Sequence, residues 1–154
     1  MSNPTESTRT LVIERVFAHP LEKLWRALTE SSLIEQWMMK NDFQPVVGHR
    51  FTLHLDPMPN WDGIAGLAKW NGVIHCRVLA VEPCRTLSYT WAALGLESVV
   101  KFTLTPTDAG THLHMEQSGF RLDQEVNYNG TKFKWQGFIG ALEGLVSQTS
   151  SIPH

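Results

Sequence analysis

The sequence carries little charge and has no cluster of basic residues. Of its 154 residues, 18% are charged, the formal net charge is −2, and no two Lys or Arg residues are adjacent. Proteins that bind nucleic acid or an anionic membrane surface present grouped positive charge, because that charge attracts the phosphates. We therefore expect no nucleic-acid partner and no membrane partner.

Long apolar runs are missing as well. No run approaches the roughly 20 apolar residues that cross a bilayer. The first ten residues, MSNPTESTRT, also lack the apolar stretch of a signal peptide. The sequence therefore predicts a protein that stays in the cytoplasm.

Cysteine is scarce, and familiar catalytic motifs are missing. Cys76 and Cys84 are too few for a disulfide scaffold and lack the spacing of metal ligands, so we expect two reduced thiols. No serine lies in a G-x-S-x-G motif, and Gly63, Gly66 and Gly72 lack the spacing of a phosphate-binding loop. We assign no catalytic residue and no cofactor.

Histidine is present seven times and could suggest a metal site. His112 and His114 share one face of a predicted strand, and Glu116 follows on the same face. The alternation of that strand, however, turns this face away from the apolar side, and His54 and His75 also fall on polar faces. We expect these histidines to face solvent and assign no metal.

Tryptophan and other apolar residues are what the chain does contain in quantity. It has 42% hydrophobic residues and six tryptophans in a length typical of one domain. A buried tryptophan needs a partner for its indole N–H, so six in a small domain favour a pocket or rim over scattered packing, which is the alternative. We expect a mobile tail at 1–8, a single domain at 9–149 and a second tail at 150–154.

The first half of the domain predicts one strand and two short helices. Residues 10–17 are rich in β-branched and apolar side chains, which favours a strand. Pro20 then suits the first turn of a helix in which leucines and Trp25 recur at helical spacing. Thr29 is a candidate N-cap for a second short helix that runs through Trp37.

The middle of the chain predicts an antiparallel meander. Alternation of apolar and polar residues or strong β propensity predicts strands at 48–55, 72–83, 86–91, 98–106 and 111–118. The turn sequences 83–85 and 108–110 join neighbouring strands closely. The segment 56–72 fits neither period, and we interpret it as a long loop that could act as a lid, with Trp61 and Trp70 on it.

The last predicted element is an amphipathic helix over residues 131–148. Its apolar stripe consists of Trp135, Phe138, Ile139, Leu142, Leu145 and Val146. Gly137, Gly140 and Gly144 lie on the opposite side, where each costs roughly 0.5–1 kcal/mol relative to alanine. This face is either a contact between copies in a homodimer or energetically neutral.

The order of these elements and several sequence stretches resemble a known superfamily. The matching stretches are ERVFAHPLEKLWRALTESSLIEQWM (14–38), VVGHRF (46–51), VEPCRTLSYTW (81–91), VKFTLTPTDAGTHLHMEQSGF (100–120) and KWQGFIGALEGL (134–145). They are similar to the START-like or Bet v 1-like (SRPBCC) superfamily, and most of all to bacterial relatives of the Hsp90 ATPase activator C-terminal domain. The segment 56–71 departs from the common pattern.

The resemblance implies an α+β helix-grip fold. In that fold a curved antiparallel sheet of about seven strands wraps around a long C-terminal helix, and two short helices follow the first strand. A cavity lies between the concave sheet and the helix. Members of the superfamily include ligand carriers, cyclases and co-chaperone modules, so the resemblance implies the fold more firmly than the function.

The apolar faces of the predicted strands indicate which side chains would line such a cavity. The strand alternation places Leu55, Leu87, Val100, Leu104 and Leu113 on this inner side together with the candidate residues. The candidate ligand-binding residues are Trp37, Phe51, Leu53, Trp61, Trp70, Val78, Tyr89, Trp91, Phe102, Met115, Gln117, Trp135 and Phe138. Among them, the Tyr89 hydroxyl and the Gln117 amide are the polar groups that would orient a ligand.

Three functions follow from these observations. The first is a module that binds a small hydrophobic or aromatic molecule, favoured by the apolar faces and the Trp-rich loop. The second is a cyclase or hydratase in which Tyr89, Gln117 or a histidine moves protons. The third is a protein-interaction module, suggested by the likeness to the activator domain and by the glycine face of the last helix.

Overall fold

The computed structural model describes residues 8–54, 73–93, 96–121 and 125–148. The predicted lid at 56–72 with Trp61 and Trp70, the inward candidate Leu55 and nearly all of both predicted tails lie outside the described residues. The described elements are β1 Thr8–Phe17, α1 Leu21–Thr29, α2 Ser31–Trp37, β2 Lys40–Asn41, β3 Arg50–His54, β4 Val73–Glu82, β5 Thr86–Ala93, β6 Leu96–Thr107, β7 Gly110–Arg121 and α3 Glu125–Gln148.

The described strands form one antiparallel sheet of seven, in the order β1-β7-β6-β5-β4-β3-β2. The strands β2 to β7 are neighbours in the order in which the chain makes them, and β1 joins beside β7. Helix α3 packs against β1, β7, α1 and α2. This arrangement confirms the α+β helix-grip fold and the meander. No helix within the described ranges is both long and apolar enough to cross a bilayer.

The two short helices form where the sequence predicts them, but the residue between them differs. Thr29 is the last residue of α1, and its hydroxyl donates a hydrogen bond to the Trp25 carbonyl at 2.7 Å. Glu30, with an extended backbone, ends α1 and precedes α2. The prediction of Thr29 as an N-cap is therefore wrong, because its hydroxyl is used within its own helix.

Two glycines of β7 are required by close backbone contacts. Gly110 has φ +145°, and a Cβ there would overlap the Phe17 carbonyl. Gly119 has φ +111°, and a Cβ there would lie 2.7 Å from the Glu97 carbonyl oxygen. Gly119 is also the additional residue of a β-bulge, because Phe120 and Ser118 pair with consecutive residues of β1. The bulge changes the alternation, so that β7 buries Phe120 as well as Gln117.

Helix α3 begins at Glu125, six residues before the predicted start at Thr131. Its predicted apolar stripe faces the core, with Phe138 half-buried and the other five members buried. A Cβ added at Gly137, Gly140 or Gly144 would meet no atom within 4 Å in the described part of the chain. Close approach by the described backbone of this chain is therefore not the reason for these glycines, and the homodimer stays a prediction.

Candidate functional site

The described part of the concave face is mainly apolar. All of the inward-facing residues that the strand alternation predicts and the structure describes are buried. They are Phe51, Leu53, Val78, Leu87, Tyr89, Trp91, Val100, Phe102, Leu104, Leu113, Met115 and Gln117. The strand parity is therefore confirmed, although burial alone does not distinguish a ligand-lining side chain from a packed one.

Four aromatic rings connect the sheet to α3. Tyr89 lies 6.1 Å from Phe102, Phe102 lies 5.7 Å from Trp135, and Trp135 lies 5.5 Å from Trp91, all measured between ring centroids. Tyr89 and Trp91 are two residues apart on β5, so both project from the same face. These four rings connect two adjacent strands, β5 and β6, to the helix.

A second group of rings extends from Tyr89 toward the opposite end of the sheet. The Phe51 ring meets Tyr89 at 5.1 Å and Phe43 at 5.0 Å, both edge to face, which is a favourable geometry for aromatic pairs. Phe43 also lies 6.3 Å from Tyr89. The Tyr89 ring is therefore surrounded by aromatic side chains from β6, β3 and the segment between β2 and β3.

A chain of hydrogen bonds, which we call the polar relay, crosses the concave face beside Tyr89, whose strand partner Val100 pairs with Gln117. The Trp135 indole Nε1 donates to Gln117 Oε1 at 2.8 Å, Gln117 Nε2 donates to Ser98 Oγ at 2.8 Å, and Ser98 Oγ donates to the Trp91 carbonyl at 3.0 Å. The relay joins α3 to β7, β6 and β5. Gln117, predicted to orient a ligand, thus makes two hydrogen bonds within the protein, one through its amide oxygen and one through its amide nitrogen.

Trp37 is likewise engaged with the protein. Its indole Nε1 donates to the Ala27 carbonyl at 2.8 Å, and the side chain is buried between the two short helices. This bond satisfies its polar atom and holds α2 against α1. Phe138, half-buried on α3, meets Trp135 edge to face at 5.6 Å.

Two further buried polar groups, the Tyr89 hydroxyl and the Trp91 indole N–H, are not part of the relay. Tyr89 is 4% exposed and Trp91 is 7% exposed. Among the residues that the structure describes, none makes a hydrogen bond with the Tyr89 hydroxyl or with the Trp91 indole N–H. Burial raises the pKa of Tyr89 well above its ordinary value, and Cys76 adds to this rise. The hydroxyl is therefore protonated and able to donate.

Cys76 lies beside this pair on β4 and is fully part of the core. Burial raises the pKa of its thiol strongly, and Asp42 contributes further. The Sγ atom lies 3.9 Å from the Ile74 carbonyl oxygen, which is a weak contact. A buried thiol that keeps its proton is a poor nucleophile. Both Cys76 and Cys84 are free.

The histidine face lies on the other side of the sheet, as the strand parity predicts. His112 Nε2 lies 2.9 Å from Glu14 Oε1 and His114 Nε2 lies 3.1 Å from Glu116 Oε1, and all four side chains are partly exposed. His54 and His75 are exposed. In the described ranges, no group of three or more His, Cys, Asp or Glu side chains is arranged to hold a metal ion.

The interior of the described part of the chain contains no charge. Its buried polar residues are Thr29, Ser88, Ser98, Thr111 and Gln117, and none of the Asp, Glu, Lys and Arg side chains whose burial the structure describes is buried. An ion in such a place loses its hydration without gaining a counter-charge, which is costly. An ion placed there would find no buried counter-charge among these side chains.

Several residues of this site escaped the sequence analysis. Ile74, Cys76 and Ser98 share the parity of the inward residues on β4 and β6, so a complete reading of the alternation would have found them. Phe120 was hidden by the bulge at Gly119, which no alternation reveals. Phe43 lies in an irregular segment and carried no periodic signal.

Comparisons with known proteins agree with this architecture. The family model described as Activator of Hsp90 ATPase homolog 1-like protein matches residues 18–147. The chain is 54% identical to protein MLL2253 from Mesorhizobium loti, whose crystal structure it matches with a TM-score of 0.81 over 92% of this chain and 98% of that one. No curated protein matches the chain.

Two further solved structures are more distant. Protein BH1534 from Bacillus halodurans is 26% identical, with a TM-score of 0.71 over 90% of this chain and 96% of that one. CalU16 from Micromonospora echinospora is 20% identical, with a TM-score of 0.69 over 94% of this chain and 80% of that one. The likeness to CalU16 shows the fold alone.

Proposed function

The chain belongs to the family of Activator of Hsp90 ATPase homolog 1-like proteins, and from this premise we propose that it binds a small hydrophobic or aromatic molecule between the concave sheet and α3. The observation that carries the proposal is the buried Tyr89 hydroxyl, which no described residue satisfies by a hydrogen bond. A bound molecule would supply the missing partner.

The composition of the concave face supports this proposal. Small-molecule sites are mostly apolar and contain a few polar groups that fix the orientation of the ligand. The inward residues of β3 to β7 have this composition, with aromatic rings from three strands directed at one region around Tyr89. An unsatisfied buried hydroxyl costs about 1–3 kcal/mol, so its retention is more easily explained by binding than by packing.

The catalytic alternative gains no support from the ionisable groups of the interior. A general acid or base works best when its pKa lies near the working pH. Burial raises the pKa of both Tyr89 and Cys76, which keeps each group neutral in that range. Their arrangement is therefore better suited to holding a molecule than to moving its protons.

The proposal can be tested with naphthalene as an apolar probe. We expect saturable binding, followed by the fluorescence of Trp91 and Trp135, and a rise in melting temperature, since a ligand at 100 times its Kd adds about 2.7 kcal/mol of stability. Val78→Phe places a ring directly across from Tyr89, its partner in the β4–β5 pairing, and should weaken binding at least tenfold.

Leu79→Phe is the matched control for that variant. It adds the same ring on the same strand, but Leu79 is an exposed side chain, so binding should not change. If Val78→Phe does not fold, Val78→Ala takes its place and should favour 2-ethylnaphthalene over naphthalene by enlarging the interior. The proposal fails if the wild-type protein does not bind naphthalene, or if changing the volume at residue 78 leaves the affinities unaltered.

A further inference from the structure

Resting on the proposed function, we infer that the ligand is a neutral aromatic molecule with an acceptor oxygen, such as a ketone, held by the Tyr89 hydroxyl and the Trp91 indole N–H. The chemical class of the ligand follows from an imbalance between the hydrogen-bond donors and acceptors of the concave face.

The two donors lie on one strand and face one region. Residues two apart on a strand project to the same side, and their Cα atoms are separated by roughly 7 Å. Tyr89 and Trp91 occupy such positions on β5 and are linked by the rings of Phe102 and Trp135. A bicyclic aromatic molecule is long enough to reach both side chains.

The nearby acceptors are already engaged. Gln117 Oε1 accepts from the Trp135 indole, Ser98 Oγ accepts from Gln117, and the Trp91 carbonyl accepts from Ser98. An indole N–H can only donate, and a tyrosine hydroxyl can donate one hydrogen bond. The Tyr89 hydroxyl can also accept, but an acceptor atom on the ligand is the one kind of partner that both left-over groups could use.

The second property of the ligand, its neutrality, follows from the lack of buried positive charge among the described side chains. Since none of the Lys and Arg side chains whose burial the structure describes is buried, a carboxylate or sulfonate would enter without a buried counter-ion among them. Burying an isolated anion is far more costly than burying a carbonyl that accepts a hydrogen bond. The same aromatic skeleton should therefore bind as a ketone and fail to bind as a carboxylate.

Three probes of similar size separate these properties. They are 2-acetylnaphthalene, 2-ethylnaphthalene and naphthalene-2-carboxylate, with dissociation constants measured by equilibrium dialysis at pH 7. One satisfied hydrogen bond gives about a tenfold change in affinity. We expect the ketone to bind about tenfold more tightly than the hydrocarbon and the carboxylate to show no saturable binding.

Tyr89→Phe and Trp91→Phe should each reduce the preference for the ketone, and Tyr89→Phe should do so without weakening 2-ethylnaphthalene. Thr90→Val is the control, because it removes a hydroxyl from the opposite face of the same strand. The infrared carbonyl stretch of bound 2-acetylnaphthalene adds a direct readout. It should lie at lower frequency in the wild-type protein and in Thr90→Val than in Tyr89→Phe.

The outcomes separate the two proposals. Equal affinities for the ketone and the hydrocarbon, with a carbonyl stretch that Tyr89→Phe leaves unchanged, would overturn the inference and leave the proposed function standing. Saturable binding of the carboxylate would overturn the requirement for neutrality. If none of the three probes binds, the proposed function fails with the inference.

Discussion

Two adjoining regions of the concave face differ in whether their buried polar groups have hydrogen-bond partners. Near α3, the side chains of Ser98, Gln117 and Trp135 form a continuous relay in which each named donor has an acceptor. Around Tyr89 the surroundings are equally buried and mainly aromatic, yet its hydroxyl finds no hydrogen-bond partner among the described residues. We call the first region the satisfied end and the second, in which the Trp91 indole N–H also has no partner among the described residues, the unsatisfied end.

This difference separates structural roles from functional ones. A satisfied polar network in a low-dielectric interior rigidifies the core and fixes how the helix sits on the sheet. An unsatisfied buried group breaks a general rule of folded proteins, and such exceptions concentrate at functional sites. The satisfied end therefore positions α3, and the unsatisfied end is where we propose that a ligand binds.

The largest effect should come from removing the aromatic centre of the satisfied end. Trp135→Ala should lower the free energy of unfolding by about 3–5 kcal/mol, because it leaves a large void and removes the hydrogen-bond donor of Gln117 Oε1. Denaturant titration measures this. Phe133→Ala on the same helix is the control, since Phe133 is 74% exposed and its loss should change stability by less than about 0.5 kcal/mol. Equal effects of the two variants would contradict this role.

Breaking the relay at its centre should have the next largest effect. Gln117→Leu keeps the volume but leaves the Trp135 indole N–H without its acceptor, which should cost about 1–3 kcal/mol. Chemical denaturation measures the loss, and Glu116→Leu, on the outer face of the same strand, is the control. A Gln117→Leu protein as stable as the wild type would show that the relay does not stabilise the fold.

Sequence patterns predict the fold of this chain well, because most of its elements follow simple periodicities. Alternation identifies the inward side of β3 to β7, and helical spacing identifies the buried stripe of α3. The errors lie at boundaries, where local hydrogen bonds decide. Thr29 bonds back to Trp25 and does not cap the next helix, and α3 begins six residues before its predicted start at Thr131.

The candidate site is less predictable, since periodicity indicates which side chains face inward but not what they meet there. The sequence predicts the same for Tyr89 and Gln117, namely that each is an inward polar residue on a strand with alternating side chains. In the folded structure, the Gln117 amide makes hydrogen bonds with Ser98 and Trp135, while none of the described residues bonds the Tyr89 hydroxyl. Such pairings join residues distant in sequence, which no local pattern encodes.

The unsatisfied end should also make stability depend on pH in the alkaline range. Burial raises the pKa of the Cys76 thiol above its ordinary value of 9.0, so the folded state keeps a proton that the unfolded chain loses. The contribution is complete below pH 9 and declines as the pH rises. Between pH 8 and pH 10, the wild type should lose about 1.4 kcal/mol more than Cys76→Ala. Denaturation at both pH values measures this, and equal losses would contradict the burial of the thiol.

The smallest effect is the most informative, because its sign is opposite to that of the relay variants. Tyr89→Phe removes a buried hydroxyl that no described residue satisfies, so the free energy of unfolding should stay equal or rise by about 1 kcal/mol. Its ring contacts with Phe51 and Phe102 remain. Denaturant titration without ligand measures the change. A loss of more than about 1 kcal/mol would mean that the hydroxyl is satisfied within the folded protein, and the contrast between the two ends of the concave face would then disappear.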